Sequence, residues 1–208
     1  MRFADRPEAG QILAARLEHL RERDPVVLGL PRGGVPVAAA VADRLGADLD
    51  IVLVRKIGAP GSPELAIGAV GEGGVVVRAP EVLAMLELSW SQVKPSIERA
   101  KAELRRRADV LRGPAEPRDL TGRTVVVVDD GIATGSTVAA AVQVVRHLGA
   151  ARVVLAVPVA PDAILGHLRA IADEFVCVHT PSDFGAVGRW YGDFTQVTDA
   201  EVRAILAS

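Results

Sequence analysis

Three short segments of this chain combine residue types that can hold a charged, oxygen-rich ligand. The first is Asp129, Asp130, Gly131, Ile132, Ala133, Thr134, Gly135, Ser136 and Thr137. Its glycines let backbone approach an anion, its Ser and Thr hydroxyls donate, and the helix expected to follow supplies unpaired N–H groups with a favourable dipole. A phosphate monoester suits that turn. Two adjacent carboxylates are costly if buried dry but reasonable if they meet hydroxyls or a cation, so a sugar diol with Mg²⁺ satisfies Asp129 and Asp130. Taken alone, one of the pair could equally be a helix cap and the other a solvated charge.

The second segment is Leu30, Pro31, Arg32, Gly33 and Gly34. Arg32 offers a fork of donors to phosphate oxygens, and the two glycines allow N–H groups to point inward. A glycine turn with a surface arginine is the plainer alternative. The third is Arg55 and Lys56, which enter a stretch rich in Gly and Pro that also holds Glu64, a carboxylate expected simply to be solvated.

These segments need elements to position them. Val26 to Leu30 reads as a buried strand, Val35 to Leu45 as an amphipathic helix closed by Gly46, and Asp50 to Val54 as a second strand. Val125 to Val128 is an apolar strand, and Val138, Val142, Val145 and Leu148 form one face of the next helix. Val153 to Val157, Pro161 to Ile171 and Glu174 to Val178 continue the alternation. The pattern predicts an α/β fold with an open, mostly parallel twisted sheet and helices on both faces. Ligands in such sheets bind beyond the carboxyl ends of the strands, where the first two segments fall.

Elsewhere, Asp5 and Glu8 form a capping box ahead of Ile12, Leu13, Leu17 and Leu20. Lys56 to Gly74 reads as a mobile loop, with a small hairpin of Ile67 to Val70 and Val75 to Val77 near its end. Pro80 to Leu88 and Ser89 to about Leu111 read as helices. The latter is basic: Lys94, Arg99, Lys101, Arg105, Arg106, Arg107 and Arg112 outnumber Glu98, Glu103 and Asp109. A solvated helix face is the ordinary explanation, and a nucleic-acid contact is the sharper one.

With 208 residues, half of them hydrophobic, the chain fits one domain with a small appendage. A net charge of −2 gives no global pull toward nucleic acid or an anionic membrane, so phosphate binding must be local. No apolar signal core or membrane-spanning stretch is present, so cytoplasm is the expected location. Cys177, the single cysteine, lies in an apolar run and reads as a buried small hydrophobe.

The run Val125-Val-Val-Val-Asp-Asp-Gly-Ile-Ala-Thr-Gly-Ser-Thr137 resembles the signature of type I phosphoribosyltransferases. No Gly-Lys-Ser/Thr follows a glycine-rich loop and no G-x-G-x-x-G is present, so competing phosphate motifs fail. The resemblance implies binding of 5-phosphoribosyl-1-pyrophosphate with Mg²⁺, the metal held by Asp129 and Asp130 mainly through water or donor oxygens. It gives Asp129 and Asp130 to the ribose and Ala133 to Thr137 to the 5-phosphate. Pro31 to Gly34 resembles the family's pyrophosphate loop, implying a non-proline cis peptide near Arg32 and Gly33. Arg55 and Lys56 resemble the basic pair of its flexible catalytic loop. Arg32, Lys56, Asp129 and Asp130 are thus the expected catalytic set.

The implied reaction moves ribose 5-phosphate to a small nitrogenous base and releases pyrophosphate. A silent sensor of the same ligand, binding nucleic acid or a protein, is the alternative. Ala133 stands where members acting on 6-oxopurines commonly have an acid, which disfavours that subclass and leaves the acceptor open. The implied layout is one domain over 1–208: core about 24–178, hood from 1–23 and 179–208, and a helical insertion about 79–113. Most of the scarce aromatics lie in the tail, so Phe184, Trp190 and Tyr191 are candidates for an acceptor platform, with a satellite core or subunit contact as the alternative. The family resemblance also implies a homodimer.

Overall fold

The structure is a computed structural model and describes residues 1–208 except for the side chains of Pro63 and Glu64. Five parallel strands form the central sheet: β1 (Val26–Gly29), β2 (Asp48–Ile51), β6 (Thr124–Val128), β7 (Arg152–Val159) and β8 (Glu174–His179), in the order β2-β1-β6-β7-β8. Every residue of β1 is buried, as are Val125 to Val128 of β6, so these strands read as continuous apolar runs without alternation. Helices α1 (Arg6–Ala15) and α2 (Gly34–Leu45) cover one face, and α5 (Ser136–His147) and α6 (Leu165–Ile171) the other.

Chain order reverses at the centre of this sheet. From β1 the chain moves outward to β2, then returns to place β6 on the other side of β1 and moves outward again. The loops after β1 and β6 therefore leave adjacent strands in opposite directions and open a crevice between them. Gly29 pairs with Val128, so Arg32 and Asp129 start from the same level of the sheet.

A second sheet lies apart from the first. Strands β3 (Val54–Ala59), β4 (Ser62–Gly71) and β5 (Val76–Arg78) are antiparallel in the order β3-β4-β5. The expected β4–β5 hairpin is present, but most of the expected mobile loop is strand. Pro60 and Gly61 form the tip between β3 and β4, and register shifts beside Gly58 blur the alternation that would have marked β3. The second parallel strand also ends earlier than expected, at Ile51, and Arg55 and Lys56 belong to β3.

Helix α3 (Pro80–Met85) and the long α4 (Trp90–Arg112) follow, then the short C-terminal α7 (Asp199–Leu206). Ser89 and Gln92 cap α4 reciprocally. Its apolar stripe, Val93, Ile97, Ala100, Leu104 and Leu111, packs with Ile57, Ile67, Val70 and Val202 into a third core. Arg112 fixes the far end: it lies 2.8 Å from Asp50 and also pairs with Glu72, with its side chain only 6% exposed. No helix among the described residues is long and apolar enough to cross a membrane. Cys177 is half-buried, its thiol donates to the His179 carbonyl at 3.2 Å, and burial pushes its pKa up to about 11.

Candidate functional site

The loop after β1 holds a cis peptide between Pro31 and Arg32, where the resemblance implied one. Gly34 enters α2 so close to the neighbouring loop that a Cβ there would sit 2.7 Å from the Val128 oxygen and 2.8 Å from the Asp129 Cα. A Cβ on Gly33 would meet an Asp130 carboxylate oxygen at 1.9 Å. The two glycines are what lets the arginine loop lie directly against both carboxylates.

The acidic pair divides its attention. Asp129 borders a cavity of about 360 Å³ that is also lined by Pro31, Arg32, Gly33, Arg55 and Thr137. Asp130 does not border it: its carboxylate lies 2.8 Å from the Arg6 Nε. One Asp129 oxygen accepts the Asp130 N–H at 2.9 Å. Burial pushes the Asp129 carboxyl well above the usual carboxylate range, and the Asp130 charge adds to that. The Asp130 carboxyl is also raised, because burial outweighs the stabilising Arg6 guanidinium.

The turn after β6 splits in the same manner. Ile132 is buried and its N–H is taken by the Val159 carbonyl at 2.9 Å, so it anchors the turn and has no free group for a ligand. Gly131 is needed for packing, since a Cβ would meet Val187 at 2.5 Å. Ala133, Thr134, Ser136 and Thr137 are exposed. Among the described residues, no acceptor meets the N–H groups of Ala133 to Thr137, the donors a helix N-terminus leaves open. Gly135 takes φ +81°, turning the backbone into α5.

Strand β3 brings the basic pair to this turn. The Lys56 ammonium donates to the Ser136 hydroxyl at 3.0 Å, and Arg55 pairs with Glu103 of α4. Arg32, Arg55, Asp129 and Thr137 thus border one cavity, and Lys56 reaches the mouth of the phosphate turn. Glu64 lies outside the described residues.

The tail differs from the expected acceptor platform. Tyr191 is 1% exposed and Phe184 8%, so both lie in the core and not on an open face. Tyr191 packs on Phe3 and donates its hydroxyl to the Asp130 carbonyl at 2.5 Å. Trp190 donates to the Phe184 carbonyl and meets His179 edge-on. Tyr191 thus supports the acidic loop from the core side through its hydrogen bond to the Asp130 carbonyl.

Two residues beside the site were not anticipated from the sequence. Arg6 stacks 4.0 Å above the Phe194 ring, donates to the Thr195 carbonyl and reaches Asp130. Its position after the Asp5 cap marked it only as a first-turn residue. Asp199 opens α7, lying 3.6 Å from Arg32 and 3.1 Å from Arg107. The capping box of Thr198 and Glu201 could have revealed that helix.

Among the described residues no three His, Cys, Asp or Glu side chains gather into a metal cage. Asp129 nevertheless suits a shared Mg²⁺: one oxygen is committed to a backbone N–H, and among the described residues the buried carboxylate makes no ion pair, feeling Arg6 only at a distance. Such an ion would draw most ligands from a bound polyphosphate and from water.

Comparison with known proteins adds to this geometry. The family described as phosphoribosyl transferase domain matches residues 6–189. A Mycobacterium tuberculosis protein named "Putative phosphoribosyl transferase" is 50% identical over 204 residues, which is 98% of this chain and 46% of that protein. The chain therefore spans about half the length of such curated relatives. An adenine phosphoribosyltransferase of Mycobacterium avium is 30% identical over 148 residues, 71% of this chain and 62% of its own. A crystal structure of the Thermus thermophilus protein TT1426 superposes with a TM-score of 0.92 at 51% identity, covering 99% of this chain and 98% of that one.

Proposed function

The chain belongs to the phosphoribosyl transferase domain family, and we propose that it transfers ribose 5-phosphate from 5-phosphoribosyl-1-pyrophosphate to a nitrogenous base. One observation carries this reading: Arg32, Arg55, Asp129 and Thr137, from three separate segments of the chain, line a single cavity at the point where strand order reverses. A ligand there would span an arginine-glycine loop on one side and a turn with free N–H groups on the other.

In this reading the N–H groups of Ala133 to Thr137, with Thr134 and Ser136 hydroxyls, hold the 5-phosphate. Asp129 accepts from a ribose hydroxyl. Asp130 reaches the second hydroxyl once Arg6 shares it. The bond from the anomeric carbon to pyrophosphate breaks with its electron pair leaving on the pyrophosphate oxygen, the acceptor nitrogen forms the new bond to that carbon, and the proton that nitrogen sheds passes to the released pyrophosphate. Arg32 and Lys56 stabilise the departing charge, and the fixed carboxylates favour cationic character at the ring. A bound Mg²⁺ would neutralise charge on the donor's oxygens. No covalent nucleophile is required.

The acceptor is a small base, in line with the named adenine-type relative, and Ala133 supports the exclusion of 6-oxopurines. We place the protein in the cytoplasm as a homodimer on the family resemblance. The basic α4 gives little support to a nucleic-acid partner, because Arg107 is engaged with Asp199 and Arg112 is buried.

The test is calorimetric titration with 5-phosphoribosyl-1-pyrophosphate and Mg²⁺, followed by pyrophosphate release assays across a panel of free bases. The expected result is donor binding that Asp129→Asn with Asp130→Asn abolishes, and turnover with at least one base. Unchanged donor affinity in the double variant contradicts the site assignment. Binding without turnover for any base contradicts transfer and favours a sensor.

A further inference from the structure

The cavity beside Asp129 has a fourth wall outside the three loops that carry the family resemblance. Arg106 and Arg107 of α4 line it together with Arg32 and Arg55. Four arginines therefore border a space whose lining holds two carboxylates, Asp129 and Glu103. Three of the four are already on an anion: Arg55 on Glu103, and Arg32 and Arg107 both on Asp199. The shared Asp199 oxygen is buried and makes no hydrogen bond of normal geometry, although both arginines lie beside it. Arg106 is exposed and, among the described residues, has neither ion pair nor hydrogen-bond partner.

This arrangement is under-neutralised for a protein with an overall charge of −2. Like charges gathered around one cavity repel one another, and an anionic ligand removes that cost. Asp199 takes the Arg107 fork, with one N–H donating to its second oxygen at 3.1 Å, and leaves Arg32 at 3.6 Å without a hydrogen bond to it. A group with two linked phosphoryl centres offers six terminal oxygens, enough for each of the four guanidiniums to have an acceptor.

We propose that Arg106 and Arg107 are pyrophosphate-binding residues of this site, with Asp199 as the counter-ion that the ligand displaces from Arg32 and Arg107. The assignment rests on the donor site proposed above and extends it to α4. It gives that helix a role beyond packing: its stripe of Val93, Ile97, Ala100 and Leu104 fixes the register that turns Arg106 and Arg107 to the cavity. Arg105, one position earlier, lines a different cavity with Gly73, Asp109 and Arg112 and supplies a charge-matched control.

The experiment is calorimetric titration of the intact protein with inorganic pyrophosphate and, separately, with ribose 5-phosphate. Arg106→Ala, Arg107→Ala and Arg105→Ala are compared with the unsubstituted chain. Arg106→Ala is the principal variant because no partner is lost with it, and a thermal melt confirms the fold of each. Pyrophosphate affinity should fall by about tenfold or more in Arg106→Ala and Arg107→Ala and stay within about twofold in Arg105→Ala. Unchanged affinity in both cavity variants overturns the inference, as does an equal loss in Arg105→Ala or no pyrophosphate binding by the parent chain. Ribose 5-phosphate should bind all four proteins alike. If the parent chain fails to bind it, the donor reading fails, while the pyrophosphate titration still decides the arginines.

Discussion

The Arg6 guanidinium lies 2.8 Å from an Asp130 carboxylate oxygen although 124 positions separate the two residues, joining the first turn of the chain to the loop after β6. Their side chains are 10% and 14% exposed, so the pair is shielded from solvent. Removing Arg6 leaves two neighbouring carboxylates without a cation. Arg6→Ala should cost about 3–5 kcal/mol of stability near neutral pH, the usual penalty for orphaning a buried charge. Without the guanidinium the Asp130 carboxyl rises further, so protonation relieves the penalty. Melting curves should therefore show a larger gap from the parent at pH 7.5 than at pH 4.5, and an equal gap at both would contradict the pairing.

Asp129 gives the clearest pH signature. Its folded-state pKa is raised above the ordinary 3.8, so the folded chain binds the proton more tightly than the unfolded chain. Stability from that proton is complete below the ordinary value and is lost as pH rises through the folded one. Asp129→Asn keeps the acceptor for the Asp130 N–H and removes the buried charge. The variant should melt above the parent at pH 7, with the gap closing on acidification, while losing donor affinity by more than about tenfold. A variant less stable than the parent at neutral pH would show that the charge is compensated.

Gly33 and Asp130 form a steric test of the paired loops. A methyl group at Gly33 falls 1.9 Å from the Asp130 oxygen, and Arg6 restrains that carboxylate from swinging away. Gly33→Ala should retain the fold at a cost of about 1–3 kcal/mol and weaken donor binding by about tenfold or more. Calorimetry of the purified variant checks both the binding loss and, through its melt, the fold.

Arg112 tests whether the α4 anchor matters for the site. It pairs with Asp50 and Glu72 and donates to the Ile51 carbonyl at 3.2 Å, all at low exposure. Arg112→Ala should cost about 3–5 kcal/mol, because two buried carboxylates lose their partner. Denaturant titration gives the loss directly. Adding Asp50→Asn and Glu72→Gln to Arg112→Ala should recover part of it, and no recovery would mean that packing dominates.

Local sequence determined the strand-loop-helix units. Short unbroken β-branched runs such as Val125 to Val128, bounded by turn residues, read as buried strands, and the polar turn that follows offers the same donors whichever neighbour it meets. The alternation of such units implied a parallel sheet, and with it the end of the sheet at which Arg32, Asp129 and Thr137 gather. Tertiary structure decided what each group faces. Asp129 and Asp130 are adjacent in the chain and equal in type, yet one borders the cavity and the other meets Arg6. Tyr191 and Phe184, read as an open platform, fill the space behind the acidic loop. Arg107 and Asp199 reach the site from helices that carry no family signature. Such outcomes depend on contacts across tens of residues, where desolvation and charge pairing are set by whichever segments pack together, and no local spacing encodes that partner.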